Sequence, residues 1–203
     1  MGGHAAGDVA SQIAVDTFVE KFAGPEIRDS EQILATMGDA LKRANSLIYE
    51  AGRRNEGGSM GTTCTAAVIS QGKIHVVHAG DSRGYLQRDQ ELSQLTEDHS
   101  WVAQLVKEGH ITSEQARVHP SRNVITRALG IENELVPDII TEEIRAGDIV
   151  LLCSDGLHGL VEDGEINEVL DSTPIQEALF TLIRLSNDKG GDDNITAVAA
   201  AIR

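Results

Sequence analysis

The chain has 203 residues, is 40% hydrophobic and 24% charged, and carries a formal net charge of -15. Those totals suit one globular domain with a sizeable core. No apolar run reaches the length of a membrane span, and the start Met1-Gly2-Gly3-His4 reads as no signal peptide. So acidic a chain repels phosphate backbones, which argues against a nucleic-acid partner. Its two cysteines, Cys64 and Cys153, lie in apolar runs without a Cys-x-x-Cys spacing, as expected of buried thiols in a reducing cytoplasm.

In chain order, residues 6–23 predict a helix with Val9, Ile13, Val15, Val19 and Phe22 as its apolar positions, ended by Gly24-Pro25. A longer helix follows, capped by Ser30, with Ile33, Met37, Leu41, Ala44 and Ile48 on one buried stripe. The glycine-rich stretch 56–63 lacks a phosphate-loop pattern and reads as a turn feeding a strand at 64–70. Gln71-Gly72 then makes a hairpin with a strand at 73–79, and strands near 85–87 and 91–95 continue the meander. His75 and His78, three apart on a strand, point to opposite faces and cannot share an ion.

From Glu97 to Gly130 the pattern turns helical and locally basic. Trp101, Leu105 and Val106 suggest an amphipathic helix over about 99–109, and Thr112 or Ser113 could cap a further turn. This insertion is either a solvated helical excursion or a mobile flap that handles acidic substrates. Strands resume at 136–143 and 149–154, a helix fits 163–170, Pro174 opens another at its first turn, and a last strand covers 195–202. Helix pairs and strands joined by short turns predict an α+β layered domain, not a parallel sheet.

Three carboxylates share one context. Asp81 follows the strand ending His78-Ala79-Gly80, Asp155 follows Ile149-Val150-Leu151-Leu152-Cys153-Ser154, and Asp193 precedes the final strand. If those strand ends meet, three negative charges converge and require a cation or protonation. Oxygen ligands without His or Cys favour Mg²⁺ or Mn²⁺. A single Asp-Gly is most often only a turn.

Four segments in series carry a resemblance. Met60-Gly61-Thr62-Thr63, Gly80-Asp81-Ser82-Arg83, Leu152-Cys153-Ser154-Asp155-Gly156-Leu157 and Gly191-Asp192-Asp193-Asn194-Ile195-Thr196 are similar, in order and spacing, to motifs of the bacterial type 2C, metal-dependent Ser/Thr phosphatases. The resemblance covers essentially all of 1–203 as one domain with a flap at about 97–130. It implies two antiparallel sheets in a β-sandwich flanked by helix pairs, in α-β-β-α layers. It implies Asp155 and Asp193 as ligands of a two-metal centre of Mn²⁺ or Mg²⁺, with Asp81 and Asp155 holding a third, weaker ion. Phosphorylated substrates of a Ser/Thr kinase and a cytoplasmic, monomeric enzyme without membrane or nucleic-acid partner complete the expectation. Paired metals acidify a water and neutralise phosphoryl charge, so such an enzyme needs no nucleophilic side chain. A cysteine phosphatase is excluded, since Ser70 and Gly159 stand where Arg should follow Cys64 and Cys153.

The opening Met1-Gly2-Gly3-His4 resembles the family's Asp-Gly-Met-Gly-Gly-His segment without its first two residues. The resemblance thus implies a truncated form lacking a bridging Asp, a phosphate-binding Arg and one or more N-terminal strands. Either the true start lies upstream, or this is a shortened pseudophosphatase that binds a phosphorylated partner without efficient hydrolysis. Missing strands would leave open sheet edges.

Overall fold

The computed structural model describes residues 4–24, 26–54 and 59–203. The opening Met1-Gly2-Gly3 and residues 56–58 of the glycine-rich turn lie outside the described residues. The chain divides into two compact units, Met1–Gly80 with His99–Glu143, and Asp81–Asp98 with Ile144–Arg203.

The first unit holds helices α1 (His4–Phe22) and α2 (Ser30–Arg54) and strands β1 (Cys64–Ser70), β2 (Lys73–Ala79) and β5 (Asp138–Glu143). It also holds the short helices α3 (Trp101–Lys107) and α4 (Ser113–Arg117). Its sheet is antiparallel, in the order β1-β2-β5. Gln71 and Gly72, at φ 50° and 73°, close the β1–β2 hairpin with the left-handed pair that a two-residue loop needs. The expected stripe of α2 is buried from Ile33 to Ile48 and packs against the sheet. Its cap is Asp29, not the expected Ser30: Asp29 Oδ1 accepts from the Gln32 amide at 3.0 Å, and the Ser30 backbone is already helical.

Helix α1 corrects its prediction more sharply. Val9, Val15 and Val19 are 49%, 57% and 64% exposed, and Ala10, Ala14 and Thr17 are buried instead. Small residues at i and i+4 let α1 approach α2 closely, and a helix whose apolar and polar residues are spread round its circumference hides which face is inward. In α3 the buried residue is Val102, while Trp101 is exposed; Ser100 caps the helix through Ala103 N. Thr112 caps α4 in a reciprocal box with Gln115, as anticipated.

The second unit holds β3 (Arg83–Arg88), β4 (Glu91–Gln94), β6 (Ile149–Cys153) and β7 (Ala197–Ala201), antiparallel in the order β4-β3-β6-β7. Its helices are α5 (Asp155–His158), α6 (Asp163–Ser172) and α7 (Ile175–Asp188). Thus β3 and β4 do not extend the β1–β2 meander; they join β6 and β7 in a separate sheet. Pro174 is the N-cap of α7, not its first helical residue. Tyr85, Leu151, Cys153, Leu157, Ile166 and Leu182 form the core beneath α6 and α7. The architecture is α+β, with two antiparallel sheets each covered by its own helix pair.

Candidate metal centre

All three predicted carboxylates fall in the second unit. The register of β3 on β6 pairs Arg83 with Cys153 and, carried two residues further, sets Asp81 across from Asp155. The register of β6 on β7 pairs Cys153 with Ala197, so the loop before β7 runs past the same end of the sheet. Beyond that ladder, Ser154 N donates to Thr196 O at 3.0 Å and Thr196 N donates to Ser154 Oγ at 3.0 Å. Gly156 packs so tightly on the Asn194 carbonyl that a Cβ would overlap it. Ser186 Oγ donates to Gly156 O at 2.6 Å from the α7 side. These contacts fix Asp155 at the first turn of α5 beside Asp193.

The electrostatics follow the geometry. Asp81 is 8% exposed, and burial, then the Asp155 and Asp98 charges, push its carboxyl up to about 7. Burial and the Asp193 charge likewise raise Asp155. Asp155 therefore belongs to two acidic pairs, one with each of the other carboxylates. Asp155 Oδ1 accepts from Gly156 N at 2.9 Å, and Asp193 Oδ1 accepts from Asn194 N at 2.7 Å. Each carboxylate is oriented by the next backbone amide through one oxygen. Among the described residues, no Lys, Arg or His forms an ion pair with any of the three.

Arg83, whose charge partly offsets that of Asp81, makes its hydrogen bonds elsewhere. Arg83 grips Asp98 through Nε at 2.9 Å and Nη2 at 2.8 Å, and donates from Nη1 to Tyr85 Oη at 2.9 Å. Tyr85 in turn donates to Asp163 Oδ1 at 2.9 Å. Among the described residues no three His, Cys, Asp or Glu side chains close into an ion cage by themselves. The donors still fit a hard divalent ion: they are oxygens only, repel one another, and have no other countercharge in contact. Asp155 with Asp193, and Asp155 with Asp81, are the two pairs that could each offer oxygens to such an ion.

Sequence reading missed His158, whose Nε2 lies 2.8 Å from the Asp81 carbonyl. Burial, with Arg83 nearby, lowers its imidazole to about 4, so the ring is neutral with one N–H to give. The available signal was a lone polar residue within the run Leu157 to Val161. His75 and His78 are buried and separately engaged, on Thr141 Oγ1 at 3.0 Å and Thr65 Oγ1 at 2.9 Å.

Known proteins resemble the chain along its whole length. The family model for protein phosphatase 2C matches residues 1–198. The Ser/Thr protein phosphatase PstP of Mycobacterium tuberculosis is 43% identical over 208 residues, covering 100% of this chain. The chain spans 39% of the length of that relative. The crystal structure of the phosphatase Stp1 from Staphylococcus aureus superposes with a TM-score of 0.95 at 35% identity, covering 100% of this chain and 81% of that one. A PstP catalytic domain in complex with two manganese ions superposes at 0.89 with 40% identity, covering 100% and 85%. A match that runs through nearly every residue, at such identity, makes the chain a member of the protein phosphatase 2C family.

Proposed function

We propose that this chain is a metal-dependent phosphatase that hydrolyses phosphoserine and phosphothreonine in proteins. The observation that carries the reading is Asp155, a half-buried carboxylate belonging to two acidic pairs, none of whose three members has an ion-pair partner among the described residues. Asp155 and Asp193 would hold two ions, Mn²⁺ or Mg²⁺, and Asp81 with Asp155 a weaker third. Bound there, the ions would acidify a water and offset phosphoryl charge. The chain itself orients the carboxylates on the amides of Gly156 and Asn194 and keeps Arg83 on Asp98. Burial pushes the Cys64 and Cys153 thiols up to about 12, so neither supplies a thiolate nucleophile.

The substrates on this reading are phosphoproteins made by a Ser/Thr kinase, in the cytoplasm, where two free cysteines persist reduced. The segment 97–130, with Arg117, Arg122 and Arg127 in its second half, serves as the flap that receives acidic substrates, within a single phosphatase domain. The test is release of phosphate from a phosphothreonine peptide with and without Mn²⁺. Asp155→Asn should lower turnover by about 100-fold or more, beyond the usual effect of losing a residue that only supports a ligand. Full Mn²⁺-dependent turnover in that variant refutes the assignment. A wild-type chain that binds the phosphopeptide yet releases no phosphate points instead to a pseudophosphatase.

A further inference from the structure

We propose that His158 is a positioning residue, which holds Asp81 at a fixed distance from Asp155 and so sets the affinity of the divalent-ion site those carboxylates share. The proposal deepens the phosphatase reading and rests on it for the identity of the ion.

The geometry is confined to the second unit. A carbonyl only accepts, so the 2.8 Å contact means that His158 Nε2 carries the proton and donates it to Asp81 O. His158 stands three residues after Asp155 in the single turn of α5, where Gly159 N donates to Asp155 O at 2.8 Å. That turn is itself fixed, by Ser186 on the Gly156 carbonyl and by the close packing of Gly156 on Asn194. The named β3–β6 pairs stop at Arg83 and Cys153, two residues short of Asp81. The imidazole therefore continues the connection where that ladder ends, between a backbone anchored by β6 and α7 and the peptide that carries Asp81. Two buried, mutually repelling carboxylates move apart unless their backbones are tied, and this bond ties them. At 7% exposure, an Nε2–H left without that acceptor would be a buried unsatisfied donor, which costs stability.

Three variants test it: His158→Leu, which keeps bulk and removes the donor; His158→Gln, which keeps an N–H of similar reach; and Asp81→Ala. Mn²⁺ binding is read by titration calorimetry, alongside the thermal midpoint and the split of kcat from KM. His158→Leu should weaken the step lost in Asp81→Ala by about 10-fold, the usual effect of removing a residue that orients a ligand. It should lower kcat with KM little changed, and His158→Gln should recover most of the affinity. Adding His158→Leu to Asp81→Ala should change Mn²⁺ binding no further. If His158→Leu does not fold, His158→Asn, whose amide stops short of the carbonyl, should bind Mn²⁺ more weakly than His158→Gln. A folded His158→Leu with the wild-type isotherm overturns the proposal, as do equal losses in the Leu and Gln variants or no Mn²⁺ binding by the wild type. If the affinities fall in the expected order while no ester is hydrolysed, the positioning role stands and the phosphatase reading falls.

Discussion

Gly80 occupies φ +125°, and a Cβ there would overlap the Thr63 side chain. His99 clamps it from both sides: Gly80 N donates to His99 Nδ1 at 3.0 Å, and His99 N donates to Gly80 O at 2.7 Å. Since Nδ1 accepts, Nε2 carries the proton and donates to Asp138 Oδ2 at 3.0 Å. Gly80→Ala meets both a left-handed backbone and an occupied space, and should cost about 3 kcal/mol in urea unfolding. An unfolding midpoint equal to wild type would show that Thr63 and the clamp yield more easily than the geometry implies. At this scale much was legible. Asp81, Asp155 and Asp193 each announce themselves as a charge at the end of an apolar strand. His158 does not, because its partner lies 77 positions away and is a backbone atom. Asp29 and Ser30 are both capping residues, and only the backbone turn chooses between them.

Elements were legible where their two faces differ in polarity. Helix α2 contrasts strongly and its stripe was read correctly; α1 mixes apolar and polar residues on every side, and its inward face of Ala10 and Ala14 was not. The connection into β6 hides another long-range choice. Asp148, 2% exposed, accepts from Arg88 Nε at 3.0 Å and Nη2 at 2.7 Å, and from Arg145 N at 2.9 Å. Arg88 above all, then the Arg145 amide, hold its carboxyl below the usual range against the cost of burial. A carboxylate depressed in the fold stabilises above its unfolded value near 3.9, and that contribution is lost as pH falls through the lowered folded value. Asp148→Asn should therefore cost about 2 kcal/mol at pH 7, the usual range for a charged hydrogen bond. The gap from wild type should narrow below about pH 4. Chemical denaturation of both proteins across pH 3 to 7 checks this; a gap constant with pH contradicts it.

For the whole molecule, the sheets end on β1, β5, β4 and β7. On β7, the strand Ala197–Ala201 offers small apolar side chains, with Val198 61% exposed. An apolar edge invites pairing with another chain, and the net charge of -15 opposes it by repulsion that salt screens. Association should therefore rise with ionic strength, and Val198→Lys should reduce it, as read by sedimentation velocity. Equal sedimentation of wild type and variant in high salt rules β7 out as the contact.

The pairing of β3 with β6 has a consequence for how the protein is made. Arg83 meets Cys153 only after the 69 intervening residues have been synthesised, and Asp193 follows 40 positions after Cys153. Closing loops of that span is slow relative to local helix formation. On the ribosome, α1 and α2 can assemble early, while the acidic mouth stays scattered until Asp193 and β7 have been made. The three acidic side chains are thus brought together late relative to α1 and α2, and a shorter nascent chain does not yet present them side by side.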